Sequence, residues 1–266
     1  MEKSSYDAIL EQSARHRISD GLQIVLIASV AVLCLYAAGF FDLTRMVEGG
    51  PAIWNLARES VPPNFSKGLT WIKPLLDTVV MSIAGTVLAL LFSLPLAFLA
   101  ARNTSPHPLV YHAVRLILNG LRSIPELILG ILFVAAVGFG ALPGVLALGL
   151  HSIGMVGKFF AEAIEHVNIE PVEAVQATGA KPLQVIIHGI LPQVFPQMAD
   201  VSIYRWEYNF RASTVMGMVG AGGIGFELMG SLRIMEYRDV GAILIVILAT
   251  VTLVDMFGSY LRKRFK

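Results

Sequence analysis

Charge is scarce in this chain. Asp, Glu, Lys and Arg make up 15% of its 266 residues and nearly cancel, at a net +1, where an ordinary soluble domain carries about 25% charged residues. The shortage argues against a cytosolic globular protein, and the low net charge and high apolar content argue against a disordered chain. The balance leaves no basic field to attract nucleic acid. Cysteine occurs once, at Cys34, which excludes an intrachain disulfide framework and any multi-cysteine metal site. A phosphate-cradling G-x-x-x-x-G-K-[ST] loop is also missing, since Gly157-Lys158 is followed by Phe159, so any ATP has to be bound by another chain. The six histidines follow no metal grammar. Glu162 stands where the first His of an H-x-x-E-H motif ending at His166 belongs, and His107 and His112 are five apart, off the i, i+4 register that aligns two ligands. No cofactor, no metal and no catalytic residue is expected.

What is abundant is apolar sequence: 55% of residues are AVILMFWYC, with a mean hydropathy of +0.68. A membrane span needs about 20 mostly apolar residues. Runs of that kind cover about 22–41, 75–101, 109–137, 142–164 and 240–260. Pro95 is expected to kink the second and Pro125 to bend the third near its middle. The polar residues before the first run, with Lys3, Arg15 and Arg17, and its late start mark a retained helix rather than a cleaved signal peptide.

The stretch 191–219 is harder. It contains Asp200, Arg205, Glu207 and Arg211, and a hydropathy window rejects it. Both termini are basic, however, with Arg262, Lys263, Arg264 and Lys266 closing the chain. The positive-inside rule puts both in the cytoplasm, and that requires an even number of spans. The reading is an all-α polytopic protein of six spans with this segment as the fifth; five spans is the alternative. The 42–74 segment becomes an external loop.

A charge inside a span costs roughly 2.5–3.5 kcal/mol on insertion scales, so these side chains are expected to face protein or a water-filled path. Glu207 and Arg211 are four apart in the favourable order for a helical ion pair. One reading is that such a pair packs one helix on another. The other is a lining for an anion, favoured by two arginines against one glutamate.

Residues 166–192 read as two short helices at an angle. Asn168 or Glu170 caps the first, Pro171 opens it, Gly179 ends it, and Lys181-Pro182 starts the second. Glu170 and Glu173 suit the positive end of the first helix dipole. A helix this short is marginal alone in water, so it docks on something. Gly220-Ala-Gly222-Gly223-Ile-Gly225 satisfies G-x-G-x-x-G but follows a helix, not a strand. It reads as a tight turn at the outer end of the fifth span. Met216 and Met218 beside it are apolar packing or the lining of a gate.

Glu173-Ala174-Val175-x-x-x-Gly179 followed by Leu191-Pro192 resembles the EAA loop of ABC importer permeases, with Val175 in place of the second Ala and Gly189 where an aliphatic is usual. Arg122-Ser-Ile-Pro-Glu126, Tyr204-Arg205-x-Glu207-x-Asn209-x-Arg211, the glycine run 217–225 and Val61-Pro-Pro-Asn-Phe65 resemble the phosphonate permease branch. The resemblance implies a type I ABC importer permease (MetI-like) core of six transmembrane helices in the bacterial cytoplasmic membrane. The resemblance covers about residues 60–265 and implies a permease domain 75–262 with its coupling loop 166–192; the residues themselves read as an N-terminal region over 1–74 (cytoplasmic N-terminus, first span and external loop) and a basic tail 263–266. Implied partners are two copies of an ATPase subunit, a periplasmic or lipid-anchored binding protein, a second copy of the chain, and the bilayer. Implied coupling residues are Glu170, Glu173, Ala174, Gly179, Leu191 and Pro192. Arg122, Glu126, Arg205, Glu207, Asn209 and Arg211 are expected along the path, and Met216, Met218, Gly220, Gly222, Gly223 and Gly225 at the gate and turn. A self-sufficient secondary transporter or channel explains the intramembrane charges too, but not the cytoplasmic two-helix segment. A membrane enzyme lacks a nucleophile–base pair or a metal motif.

Overall fold

A computed structural model describes residues 2–265, with the side chains of 2–19 and of Met46 left outside the description. Lys3, Arg15, Arg17 and Lys266, four of the basic residues near the termini, lie outside the described side chains. The described chain is helical with short connections, and it divides into two units, 1–58 and 59–266.

The first unit holds α1 (Glu2–Ala37) and most of α2 (Leu43–Glu59). The apolar stretch of α1, Asp20–Ala37, is long enough to cross a membrane. The segment 42–74, expected as a loop, thus contains a helix. Asp42 starts it: its Oδ1 accepts from the Arg45 amide at 3.3 Å and its carboxylate pairs with the Arg45 guanidinium at 3.0 Å, the usual service of an Asp at a helix N-terminus.

The second unit begins with residues 59–74, which belong with the helix bundle that follows them. It contains α3 (Ile72–Ala100), α4 (Pro108–Ser123), α5 (Glu126–Val137), α6 (Ala141–Glu165), α7 (Ile169–Ala177), α8 (Pro182–Val185), α9 (Leu191–Met216), α10 (Ile224–Arg233) and α11 (Tyr237–Phe265). Single π turns, Ile186–Ile190 and Gly217–Ala221, join α8 to α9 and lead out of α9. Among the described residues, four helices are long and apolar enough to span, and up to six spans result if each of two bent pairs counts as one. The expected bend at Pro125 is a break of 83° between α4 and α5. Ile124, forced toward extended backbone by the following proline, has φ −89° and ψ 119°, and it ends α4. The polar stretch is one continuous helix, α9, which passes as a span only together with α10.

α6 is the centre of the bundle. Its small residues let neighbours approach to backbone distance, the usual device between helices that share an apolar solvent. A Cβ placed on Gly154 would stand 2.6 Å from the Leu118 carbonyl of α4, and one on Gly85 of α3 would stand 3.0 Å from Leu148 Cβ. One apolar cluster joins Ala97 of α3, Leu118 of α4 and Phe160 and Ile164 of α6 to Val172 of α7, Val185 of α8, Ile190, and Val194 of α9. The two-helix segment is therefore rooted in the bundle rather than hung from it.

Candidate functional site

The segment between α6 and α9 folds as its residues dictate. Asn168 caps α7, its Oδ1 accepting from the Glu170 amide at 3.4 Å. Gly179 ends it at φ +79°, a conformation that costs a residue with a Cβ about 1–2 kcal/mol. Lys181 opens α8, its amide donating to Gln184 Oε1 at 2.8 Å. The replacement at Gly189 has a steric reason, since a Cβ there would stand 3.3 Å from Val172 Cα. A side chain there would require α7 to give way slightly at Val172.

Gln193 locks this crossing. Its Oε1 accepts from the Asn168 amide at 3.0 Å, and its Nε2 donates to the Gly189 carbonyl at 2.6 Å and the Asn168 carbonyl at 3.3 Å. Nothing in the sequence marks Gln193 for this role beyond its place after Leu191-Pro192. Behind α6, Glu165 gathers two arginines. It accepts from the Arg102 amide at 2.8 Å and pairs with Arg115 at 2.9 Å, and Arg115 also donates to the Ala100 carbonyl and lies over the Tyr111 ring. The ends of α3, α4 and α6 are thus tied where α7 begins. On the free side, Glu170, Glu173 and Ala174 are exposed, and among the described residues neither carboxylate has an ion pair.

Within the bundle, α9 carries two polar faces. The first is buried. Arg205 Nε donates to Ser152 Oγ at 2.8 Å, Ser152 Oγ to Asn209 Oδ1 at 3.1 Å, and Asn209 Nδ2 to Thr86 Oγ1 at 2.9 Å. This chain of bonds crosses from α9 through α6 to α3, and Asn209 is fully buried. The Arg205 guanidinium also lies 4.3 Å from the Tyr208 ring centroid, and its Nη2 has no partner. Tyr208 donates to Glu126 Oε1 at 2.7 Å. The other Glu126 oxygen lies 3.4 Å from His151 Nε2, while His151 Nδ1 meets the Ile124 carbonyl at 3.0 Å. Glu126, the first residue of α5, is therefore held from α6 and α9 just after the break.

The second face corrects the expected Glu207–Arg211 pair. Glu207 pairs with Arg262 of α11 at 2.8 Å, and Arg211 with Asp255 of α11 at 2.8 Å. An i, i+4 spacing permits a pair, but α11 offers a partner to each residue. Gly258 makes room: a Cβ there would collide with Glu207 Oε1. Arg262, read from sequence as tail charge, is thus structural. Asp255 was legible as a lone acid inside the last apolar run and was missed. Arg211, half exposed beside Asp255, also borders a cavity of about 240 Å³ with Glu126, Tyr208 and Met216. Arg122, at the end of α4, is half-buried over Gly154 and has no ion pair among the described residues.

The glycine run turns the chain as expected, with Gly220, Gly222 and Gly223 at positive φ. Thr78 of α3 holds the far side of the turn, its Oγ1 accepting from the Ile224 amide at 2.9 Å. Gly225 packs directly on the Thr214 carbonyl. Met216 is 1% exposed in an apolar cluster with Met81, Leu129 and Leu148, and Met218 packs on the Trp71–Ile224 cluster. Nearby, Lys67 bridges Glu236 at 2.6 Å and Asp239 at 2.7 Å, and Asn64 donates to Asp239 at 2.8 Å. The hydrogen bonds from Lys67 to these two carboxylates raise its pKa above the ordinary lysine value.

Residues 93–266 match the family described as "Binding-protein-dependent transport system inner membrane component". The chain is 67% identical over 244 residues, 92% of its own length and 89% of the relative's, to the phosphite transport system permease protein PtxC of Stutzerimonas stutzeri. It is 41% identical to the phosphate-import permease protein PhnE of Mycolicibacterium smegmatis, over 84% of this chain and 42% of that one. Among solved structures, the fold is shared with an inward-facing MetNI methionine ABC transporter, at a TM-score of 0.66 and 21% identity, covering 76% of this chain and 99% of that one. The identity to PtxC, over nearly all of both chains, and the match of residues 93–266 together carry the assignment: the chain belongs to the family of binding-protein-dependent transport system inner membrane components.

Proposed function

We propose that this chain is the membrane permease of an ATP-driven importer for a small phosphorus oxyanion, phosphite or a related phosphonate. It is a transport subunit and not an enzyme; ATP is hydrolysed by a separate chain. The observation that carries the reading is the α7–α8 segment, whose exposed Glu170 and Glu173, without an ion pair among the described residues, stand on a helix rooted in the same apolar cluster as α6 and α9. A push on α7 is delivered through Val172, Ile190 and Gln193 to both flanking helices, which suits a rigid-body tilt. The similarity to a phosphite permease supports the substrate class.

In this reading both termini are cytoplasmic and 166–192 docks on one of two ATPase subunits. A second copy of the chain completes the path, and a periplasmic or lipid-anchored binding protein delivers the anion. Gly179, Leu191 and Pro192 hold the segment's shape. Arg211 and Arg122 supply positive potential along the path, and Tyr208 and His151 fix the position of the Glu126 carboxylate beside it. Arg205 and Asn209 set the path's wall, and the glycine turn with Met216 and Met218 closes it outside. Binding inside is weak, because a permease must also release its solute.

The role of Arg211 is tested by two substitutions on one ion pair. Arg211→Ala removes the cation, whereas Asp255→Asn removes only its counterion. If Arg211 serves the anion, the first lowers phosphite uptake severalfold and the second spares it, with ATPase co-purification unchanged in both. Equal losses of uptake and assembly in both variants assign the pair to helix packing instead.

A further inference from the structure

Among the described residues, helix α2 has an exposed apolar face. Leu43, Val47, Gly50, Ile53, Trp54 and Ala57 fall at i, i+3, i+4 spacing, and the described large ones, Leu43, Val47, Ile53 and Trp54, are at least 70% exposed. Arg45, Glu48, Asn55 and Glu59 occupy the opposite side. This is the strongly amphipathic pattern of a helix that lies on an interface. It is no span, because Gly49-Gly50-Pro51 and its charges interrupt the apolar sequence.

Three further observations select the bilayer surface as the occupant. First, α2 follows the membrane-crossing stretch of α1 after only residues 38–42, a tether of at most about 18 Å. Its N-terminus therefore starts at the lipid boundary. Second, a 17-residue helix with two glycines and an internal proline is poorly stable alone in water and needs a surface on which to form. Pro51 leaves the Val47 carbonyl without its helical donor, and water supplies one at an interface. Third, Phe40 and Phe41, in edge-to-face contact at 5.8 Å, precede the helix, and Trp54 lies on its apolar face. Aromatic rings of this kind concentrate at membrane–water interfaces. Arg45, Glu48, Arg58 and Glu59 cancel, so apolar insertion, and not attraction to anionic lipid, holds the helix down.

We infer that α2 lies in the headgroup region of the bilayer, parallel to its surface, as an interfacial anchor between α1 and α3. The inference rests on α1 being a span and not on which side α2 occupies. The test uses the full chain in phosphatidylethanolamine–phosphatidylglycerol nanodiscs with nitroxide labels. The protein's lone cysteine simplifies it. Labels at Val47→Cys, Trp54→Cys, Glu48→Cys and Asn55→Cys are placed in a Cys34→Ser background, and collision with oxygen is compared with collision with a water-soluble nickel chelate. Oxygen is expected to dominate at 47 and 54 and nickel at 48 and 55, a reversal of sign across one helix. Nickel dominance at all four puts α2 in water and overturns the inference. Exclusion of both reagents at 47 and 54 means protein covers the face, which overturns it equally. Native Cys34, labelled alone, reads α1 separately: nickel contact there removes the span, and the inference with it, without touching the proposed transport function.

Discussion

Replacing Glu173 by lysine is expected to abolish uptake while the chain still inserts, folds and binds its own helices normally. The argument begins with what Glu173 does not do. It is exposed on α7 and has no ion pair among the described residues, and a surface substitution of that kind changes stability by about 0.5 kcal/mol or less. Its neighbours Val172 and Val175, which pack toward Gly189, are untouched. A carboxylate displayed at a docking surface and facing complementary charge is a different matter. Reversal there turns attraction into repulsion worth several kcal/mol, enough to empty the site. Glu173→Gln, which keeps the shape and loses the charge, is expected to fall between. The measurement pairs uptake in whole cells with membrane content of the chain. Normal uptake by the lysine variant removes the coupling role.

The second large effect concerns α9 and α11. Arg262→Ala strands Glu207, whose side chain is 6% exposed and whose Oε1 already lacks a hydrogen-bond partner. Breaking a buried pair from one side costs about 3–5 kcal/mol, because the remaining charge is uncompensated. The reverse change, Glu207→Ala, is expected to cost less. Arg262 is 26% exposed, lies 3.9 Å from Asp200, and can turn its head toward water along its aliphatic stem. Removing both partners is expected to recover most of the Arg262→Ala loss. Thermal unfolding of the four proteins in detergent gives the cycle directly. An Arg262→Ala protein as stable as the parent would show that the pair holds nothing.

Much of this architecture was legible. The candidate spans α1, α3, α6 and α11 announce themselves by long apolar runs, and the polar stretch 191–219, which hydropathy rejects, is helical as α9 but passes as a span only together with α10. The break at Pro125 was visible, since proline constrains the residue before it. Its angle was not, because packing of α4 on Gly154 sets the direction of each half. The α7–α8 segment was readable down to its caps, since Asn168, Gly179 and Lys181-Pro182 act locally. Illegible were the partners chosen across helices. Spacing alone allowed Glu207 to meet Arg211, and only the position of Gly258 shows why α11 takes both. Helix α2 escaped because its amphipathic period is modest in length and carries Gly-Gly-Pro. Gln193 and the Glu165–Arg115 knot escaped because a hydrogen-bond clamp has no sequence period.

The central claim, that this chain moves an oxyanion only when driven through α7 by a separate ATPase, is tested most directly in proteoliposomes. The chain is reconstituted alone or with the ATPase that co-purifies with it and the matching binding protein, and phosphite entry is followed. Entry is predicted only when ATP, the ATPase and the binding protein are all present, and Glu173→Lys is predicted to stop it. Phosphite entry through the chain alone, driven by an ion gradient, would contradict the account.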